Sequence, residues 1–236
     1  MNSMNSNRNL SYYPSAVGGV DIQSIMRAVY TWMVLGMLLT AGFAYVTVST
    51  SLINFALNPI ILIVAMVAEI GLVMGISWGF NKISAGTAAM LFFVYAALNG
   101  FTLSIILLTF SLGSVFLAFV STAALFGAMS VIGYTTKIDL SKMGTFLMMG
   151  VLGLLIAMVI NIFVASGPLD FIISIAGVLI FTGLTAFDTQ RIARMAGQMN
   201  AQGDGAAKYG IFGALRLYLD FINMFLFMLR LFGRRR

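Results

Sequence analysis

Apolar residues dominate stretches of about twenty positions along most of the chain, and polar residues gather in short intervals between them. Seven such stretches lie at about 29–51, 59–79, 85–108, 113–134, 144–165, 169–190 and 209–231. Each is near the roughly 20 residues that a helix needs to cross a hydrocarbon core. None shows the two-residue alternation of a membrane β-barrel strand. The pattern predicts an all-α, polytopic membrane protein: a bundle of seven transmembrane helices. Pro59 and Pro168 stand at the starts of the second and sixth stretches, where a missing N–H is harmless. The short connections make consecutive helices antiparallel neighbours in one domain, 28–236. A polar, Asn- and Ser-rich stretch, 1–27, precedes it and is expected to be a flexible cytoplasmic tail rather than a signal peptide.

Loop charge gives the expected orientation. Arg8 and Arg27 precede the first helix, Lys82 follows the second, Lys137 and Lys142 the fourth, and Arg191, Arg194 and Lys208 the sixth. The alternate connections carry no Lys or Arg, and Asp170 lies in one of them, so the N-terminus is expected in the cytoplasm. The basic C-terminal end (Arg230, Arg234, Arg235, Arg236) conflicts with a full seventh crossing, which is nonetheless the expectation here over a segment that dips and returns. Gly71, Gly75 and Gly79 form a smooth helix face, expected to admit a neighbouring backbone.

Composition narrows the chemistry. Of 236 residues 61% are hydrophobic and 8% charged, and there is no cysteine or histidine. Disulfides, thiol nucleophiles, Cys/His metal sites and histidine-dependent hydrolases are thereby excluded. The net charge of +6 comes from loops and the tail, which implies lipid-surface and topology charge and no nucleic-acid partner. Carboxylates are left as the candidates for titration near neutral pH.

Three of them fall within or at the ends of spans: Glu69, Asp188 and Asp220. If the last two segments form an antiparallel hairpin, residues equidistant from its turn share a depth. The midpoint of 188 and 220 is Asp204, inside Gly203-Asp204-Gly205, the strongest turn signal in the stretch. Both aspartates would then lie roughly 24 Å from the turn, facing one another. A close carboxyl pair does not readily ionise twice and shares one proton, which makes it a switch between the two helices. The sign is open: loss of the proton separates the pair by repulsion, or, if Arg191, Arg194, Arg216 or Lys82 clamps an ionised aspartate, gain of the proton releases the clamp. Plainer readings pair Asp188 with Arg191 and Asp220 with Arg216 along their own helices. Glu69 has no basic residue within one turn, and an intramembrane acid is a functional candidate. Asn99, Asn161 and Asn223 are expected to be interhelical hydrogen-bonding groups.

The segments Phe187-Asp188-Thr189-Gln190 and Leu217-Tyr218-Leu219-Asp220-Phe221-Ile222-Asn223, with Ala68-Glu69-Ile70-Gly71, resemble the Bax inhibitor-1 family, also called the transmembrane Bax-inhibitor-motif family. The resemblance runs from about residue 25 to the end and is to the bacterial branch. It implies seven helices with the last near the centre, the cell inner membrane as location, and a pH-sensitive calcium leak whose aspartate pair is Asp188 and Asp220. Where related bacterial proteins cluster arginines after the second helix, this chain has Phe80-Asn81-Lys82.

Three functions follow as expectations. The first is a non-enzymatic, proton-regulated cation pathway lined by Glu69, Asp188 and Asp220, with weak transient calcium at the two aspartates and no cofactor. The second is a non-catalytic regulator that binds a membrane-bound ATP-dependent protease through the polar tail. The third is an intramembrane aspartyl protease, disfavoured because the Gly-x-Gly-Asp context is missing.

Overall fold

The computed structural model of the protein describes residues 22–80, 82–198 and 203–233. The chain forms α1 (Ile22–Ser49), a short α2 (Leu52–Ala56), α3 (Pro59–Gly79), α4 (Ala85–Thr109), α5 (Leu112–Thr135), α6 (Ser141–Val164), α7 (Gly167–Gln198) and α8 (Asp204–Phe232). All but α2 are long and apolar enough to cross a membrane, which makes seven spans among the described residues. α3, α4 and α5 begin where side chains cap them. Asn58 Oδ1 accepts from the Ile60 amide at 3.0 Å ahead of Pro59, and Ser84 Oγ from the Thr87 amide at 3.2 Å. α6 stops at Ala165, whose φ of 50° is left-handed.

Two of the expected boundaries move. α1 starts at Ile22, within the stretch expected as tail; residues 1–21, with Arg8, lie outside the described ones. α7 runs on to Gln198 and α8 starts at Asp204, so both helices outrun a bilayer at the end that carries their turn. Over 32 and 29 residues they reach about 48 and 44 Å.

α8 packs against α1, α4, α5 and α7. Of its most apolar stretch 72% is buried, against 11% in α3 and 6% in α6, the two spans that lie mostly on the outside. Close approaches between helices are made by single glycines. At Gly133 an added Cβ would lie 2.8 Å from Ala186 Cα, so α5 and α7 touch backbone to backbone. The Gly71/Gly75/Gly79 face does not do this. Nothing comes within 4 Å of a Cβ at Gly71 or Gly75, and Gly79 meets only the Ile83 side chain. That smooth face of α3 points outward; among the described residues α3 packs chiefly on α2 and α4.

The polar connections gather at one end. Asp204 Oδ1 accepts from the Ala85 amide at 3.1 Å, and Lys208 Nζ donates to the Phe80 carbonyl at 3.1 Å, so the α3–α4 and α7–α8 connections meet. The α5–α6 connection joins them through Arg194 Nη1, 2.6 Å from Asp139 Oδ1. At the other end Arg230 Nη1 lies 3.8 Å from Asp170 Oδ1 in the first turn of α7. α8 is therefore one continuous crossing and does not dip and return. Arg234, Arg235 and Arg236 lie outside the described residues.

Candidate functional site

α7 and α8 are buried on more than one face, and each carries a buried row through its aspartate. On α7 it runs through Phe181, Leu184, Thr185, Asp188 and Ile192; on α8 through Gly213, Leu217, Asp220 and Met224. These spacings of three and four residues put each aspartate at a core position of its helix. Asp188 is 7% exposed and Asp220 5%.

Their partners differ. Arg216 Nη1 donates to Asp188 Oδ1 at 3.0 Å, from α8 across to α7. Asp220 Oδ2 is buried and has no hydrogen-bond partner among the described residues. No hydrogen bond joins the two carboxyls there. The reason is register. Asp188 opposite Arg216, Gly177 against Phe227 and Asp170 beside Arg230 place the hairpin's symmetry point ahead of Gly203, not at Asp204. Asp220 thus sits about one turn, roughly 5 Å, deeper than Asp188. The same-helix pairing of Arg216 with Asp220 gives way to the pairing across the hairpin.

Both carboxyls line one cavity of about 620 Å³, with Arg191, Arg216, Tyr209 and Asn223 on its wall. Lys82 is not on that wall, and Arg194 is held at Asp139. Gln190, two residues past Asp188 on α7, holds the α5–α6 connection in place: its Nε2 donates to the Ile138 carbonyl at 2.7 Å and its Oε1 accepts from the Leu140 amide at 2.9 Å.

Glu69 belongs to a second polar chain and does not line this cavity. Thr102 donates to its Oε1 at 2.7 Å and Asn99 Nδ2 to its Oε2 at 3.4 Å. The Tyr218 hydroxyl donates to Asn99 Oδ1 at 3.1 Å and lies 2.7 Å from Thr40 Oγ1, which donates to the Ala96 carbonyl at 2.9 Å. The chain links α3, α4, α8 and α1. Among the described residues no three acids come together as a metal site. Of the three asparagines, only Asn99 bridges helices. Asn161 Oδ1 accepts from the Ser166 amide at 3.1 Å beyond the end of α6, and Asn223 Nδ2 donates to the Leu219 carbonyl of its own helix at 2.8 Å. The linking role of Tyr218 and Thr40, buried at 0% and 5% exposure, was not legible in the sequence, although Tyr218 stands in the family-like segment, because single hydroxyls in apolar runs carry no spacing signal.

Seven crossing helices around a buried, arginine-paired acid on the last hairpin define a polytopic membrane protein with a cavity lined by two carboxyls and two arginines. The chain belongs to the family described as inhibitor of apoptosis-promoting Bax1, whose model matches residues 22–236. It is similar to the inner membrane protein YbhL of Escherichia coli K12, 43% identical over 218 residues that cover 91% of this chain and 93% of that one. A protein of Borreliella burgdorferi is 44% identical over 210 residues, covering 88% and 90%. A membrane protein of Streptococcus pyogenes is 39% identical over 233 residues, covering 97% and 99%.

Proposed function

We propose that the protein is a proton-regulated cation leak in the bacterial inner membrane, with the residue 1–27 end and the α7–α8 turn in the cytoplasm. The location follows the printed name of the Escherichia coli relative. The orientation follows the gathering of Lys82, Lys137, Lys142, Arg194 and Lys208 at the end that carries the α3–α4, α5–α6 and α7–α8 connections.

One observation supports the reading above the others: an unpartnered carboxyl oxygen on Asp220 beside the Asp188–Arg216 ion pair, in a single cavity. An intramembrane acid without a donor is costly to keep and offers a ligand to a hydrogen ion or a passing cation. The Asp188–Arg216 pair ties α7 to α8 while Asp188 is ionised. A proton on Asp188 removes the charge that holds Arg216, and the hairpin contact weakens. Charge-assisted contacts of this kind contribute about 1.5–3 kcal/mol, enough to change an open population by roughly tenfold to a hundredfold. Acidification therefore opens the path. Calcium is the cargo that the two aspartates would suit, as a weak oxygen-ligand site. Glu69, on its separate chain, would meet the ion one step further along the bundle. The engagement of Asp188 by Arg216 speaks against aspartyl proteolysis, which needs two carboxyls sharing a proton.

The test is calcium uptake into proteoliposomes between pH 5 and 8. Wild type should leak more at low pH, and Asp188→Asn should leak at the high level throughout. A pH profile unchanged in both Asp188→Asn and Asp220→Asn would sink the reading.

A further inference from the structure

The cavity wall away from the acids is apolar and unclosed. α3 supplies Val73 and Ser77, and α6 supplies Met148 and Val151. These two spans make no extended contact with each other: α3 packs on α2 and α4, α6 on α7. Ser77 and Met148 are exposed, so the space between α3 and α6 opens sideways, where a spanning protein meets hydrocarbon. The slot is part of the cavity of about 620 Å³ and is lined there by Val73, Ser77, Met148 and Val151.

Its polar end carries cations. Arg191 is exposed and makes no ion pair among the described residues, while the Arg216 side chain is 46% exposed despite its bond to Asp188. Depth can be read from α3, which runs antiparallel to α8. Phe80, just past α3, stacks edge-on with Phe212 at 4.4 Å between centroids, and Arg216 lies one turn beyond Phe212. The backbone of Arg216 is thus about 6 Å inside the end of α3, a depth from which an arginine side chain reaches the headgroup level by extension. The acids lie deeper or are already neutralised: Asp188 by Arg216, Asp220 one turn further in. A phosphate is therefore attracted at the mouth and repelled from the floor.

The geometry points to a binding site for one anionic phospholipid of the cytoplasmic leaflet, its phosphate between Arg191 and Arg216 and an acyl chain in the slot between α3 and α6. Charge and shape both select this occupant. Two arginines at the headgroup level of an apolar, laterally open slot match a lipid of net negative charge, as basic pockets between spans generally do. A zwitterionic lipid would bring its own ammonium against the same arginines. The site stands whether or not cations pass through the bundle.

Native mass spectrometry of the full chain in detergent tests it, with dioleoyl phosphatidylglycerol and dioleoyl phosphatidylcholine as probes. One phosphatidylglycerol should be retained, in clear preference to phosphatidylcholine. Arg191→Gln should weaken retention roughly fivefold, the effect of one basic residue near a lipid phosphate. Met148→Trp, at an exposed position where added bulk leaves the fold intact, should block the slot and lower retention too. Leu155→Trp, exposed on α6 but off the cavity wall, should not. Equal retention of both lipids, or retention untouched by Arg191→Gln and Met148→Trp, would overturn the site. So would equal protection against heat by millimolar inorganic phosphate, which would show an anion site without a lipid.

Discussion

Asp139 and Asp188 are both carboxylates held by an arginine, yet their surroundings assign them different work. Asp139 lies in the exposed α5–α6 connection, where Oδ1 accepts from the Ser141 hydroxyl at 2.7 Å and the Ser141 amide at 3.0 Å. These bonds first, and Arg194 after them, hold its carboxyl down at about 2. The contribution of the contact is complete above the ordinary carboxylate range and is lost only as pH falls through about 2. Asp139 should therefore stay charged over the whole range in which the leak responds. A carbon-13 NMR titration should find its midpoint near 2, and a midpoint near 6 would move the sensor to this loop. Tyr218 makes the complementary point inside the bundle. Its ring packs edge-on against Phe92 and Tyr95, each 5.7 Å away between centroids, while its hydroxyl joins Thr40 to Asn99. Tyr218→Phe keeps the packing and removes the link, and should cost about 1 kcal/mol in detergent unfolding. A loss of activity with no loss of stability would assign the hydroxyl to the ion path instead.

Helices in this fold are told apart by what their small residues meet. Gly133 of α5 abuts the Ala186 backbone of α7, whereas Gly71 of α3 faces open space. Gly133→Val forces two backbones apart and should cost about 1–3 kcal/mol or more, seen as a lowered melting temperature. Gly71→Ala should be neutral or stabilising by up to about 1 kcal/mol, since alanine is the better helix former. The reverse order would mean that α3 packs against another backbone. Sequence spacing singled out the α3 glycines because they recur every four residues. Recurrence on a helix face says nothing of which way that face turns, and the close contacts of α5 and α7 rest on single glycines with no repeat.

Across the whole molecule, the ion pair and the orphan carboxyl sit where one hairpin meets two outlying spans. α7 and α8 hold the charges, and α3 and α6 form the looser walls. This division predicts how substitutions spread. Arg216→Gln should leave Asp188 buried without its partner, raise the leak at neutral pH and flatten its pH profile. Asp220→Asn leaves the tie in place and should lower the leak without moving its midpoint. Flux in proteoliposomes separates the two, and identical profiles would mean that the carboxyls act as one unit sharing a proton.

The run of apolar lengths was enough to place all seven crossings, because burying backbone polar groups in hydrocarbon allows little besides helices of that length. It also marked Asp188, Asp220 and Glu69, since a charge within such a run is conspicuous for its cost. What it left open was which groups meet. A hairpin's register depends on how its helices pack through side chains, and a shift of one turn replaced a carboxyl opposite Asp188 by the guanidinium of Arg216. Glu69 likewise lies in a similar run to the aspartates but faces Thr102 and Asn99 of α4, apart from their cavity. Distances along one helix follow from counting residues. Contacts between helices follow from rotation and sliding of whole elements, and only the packed bundle sets those.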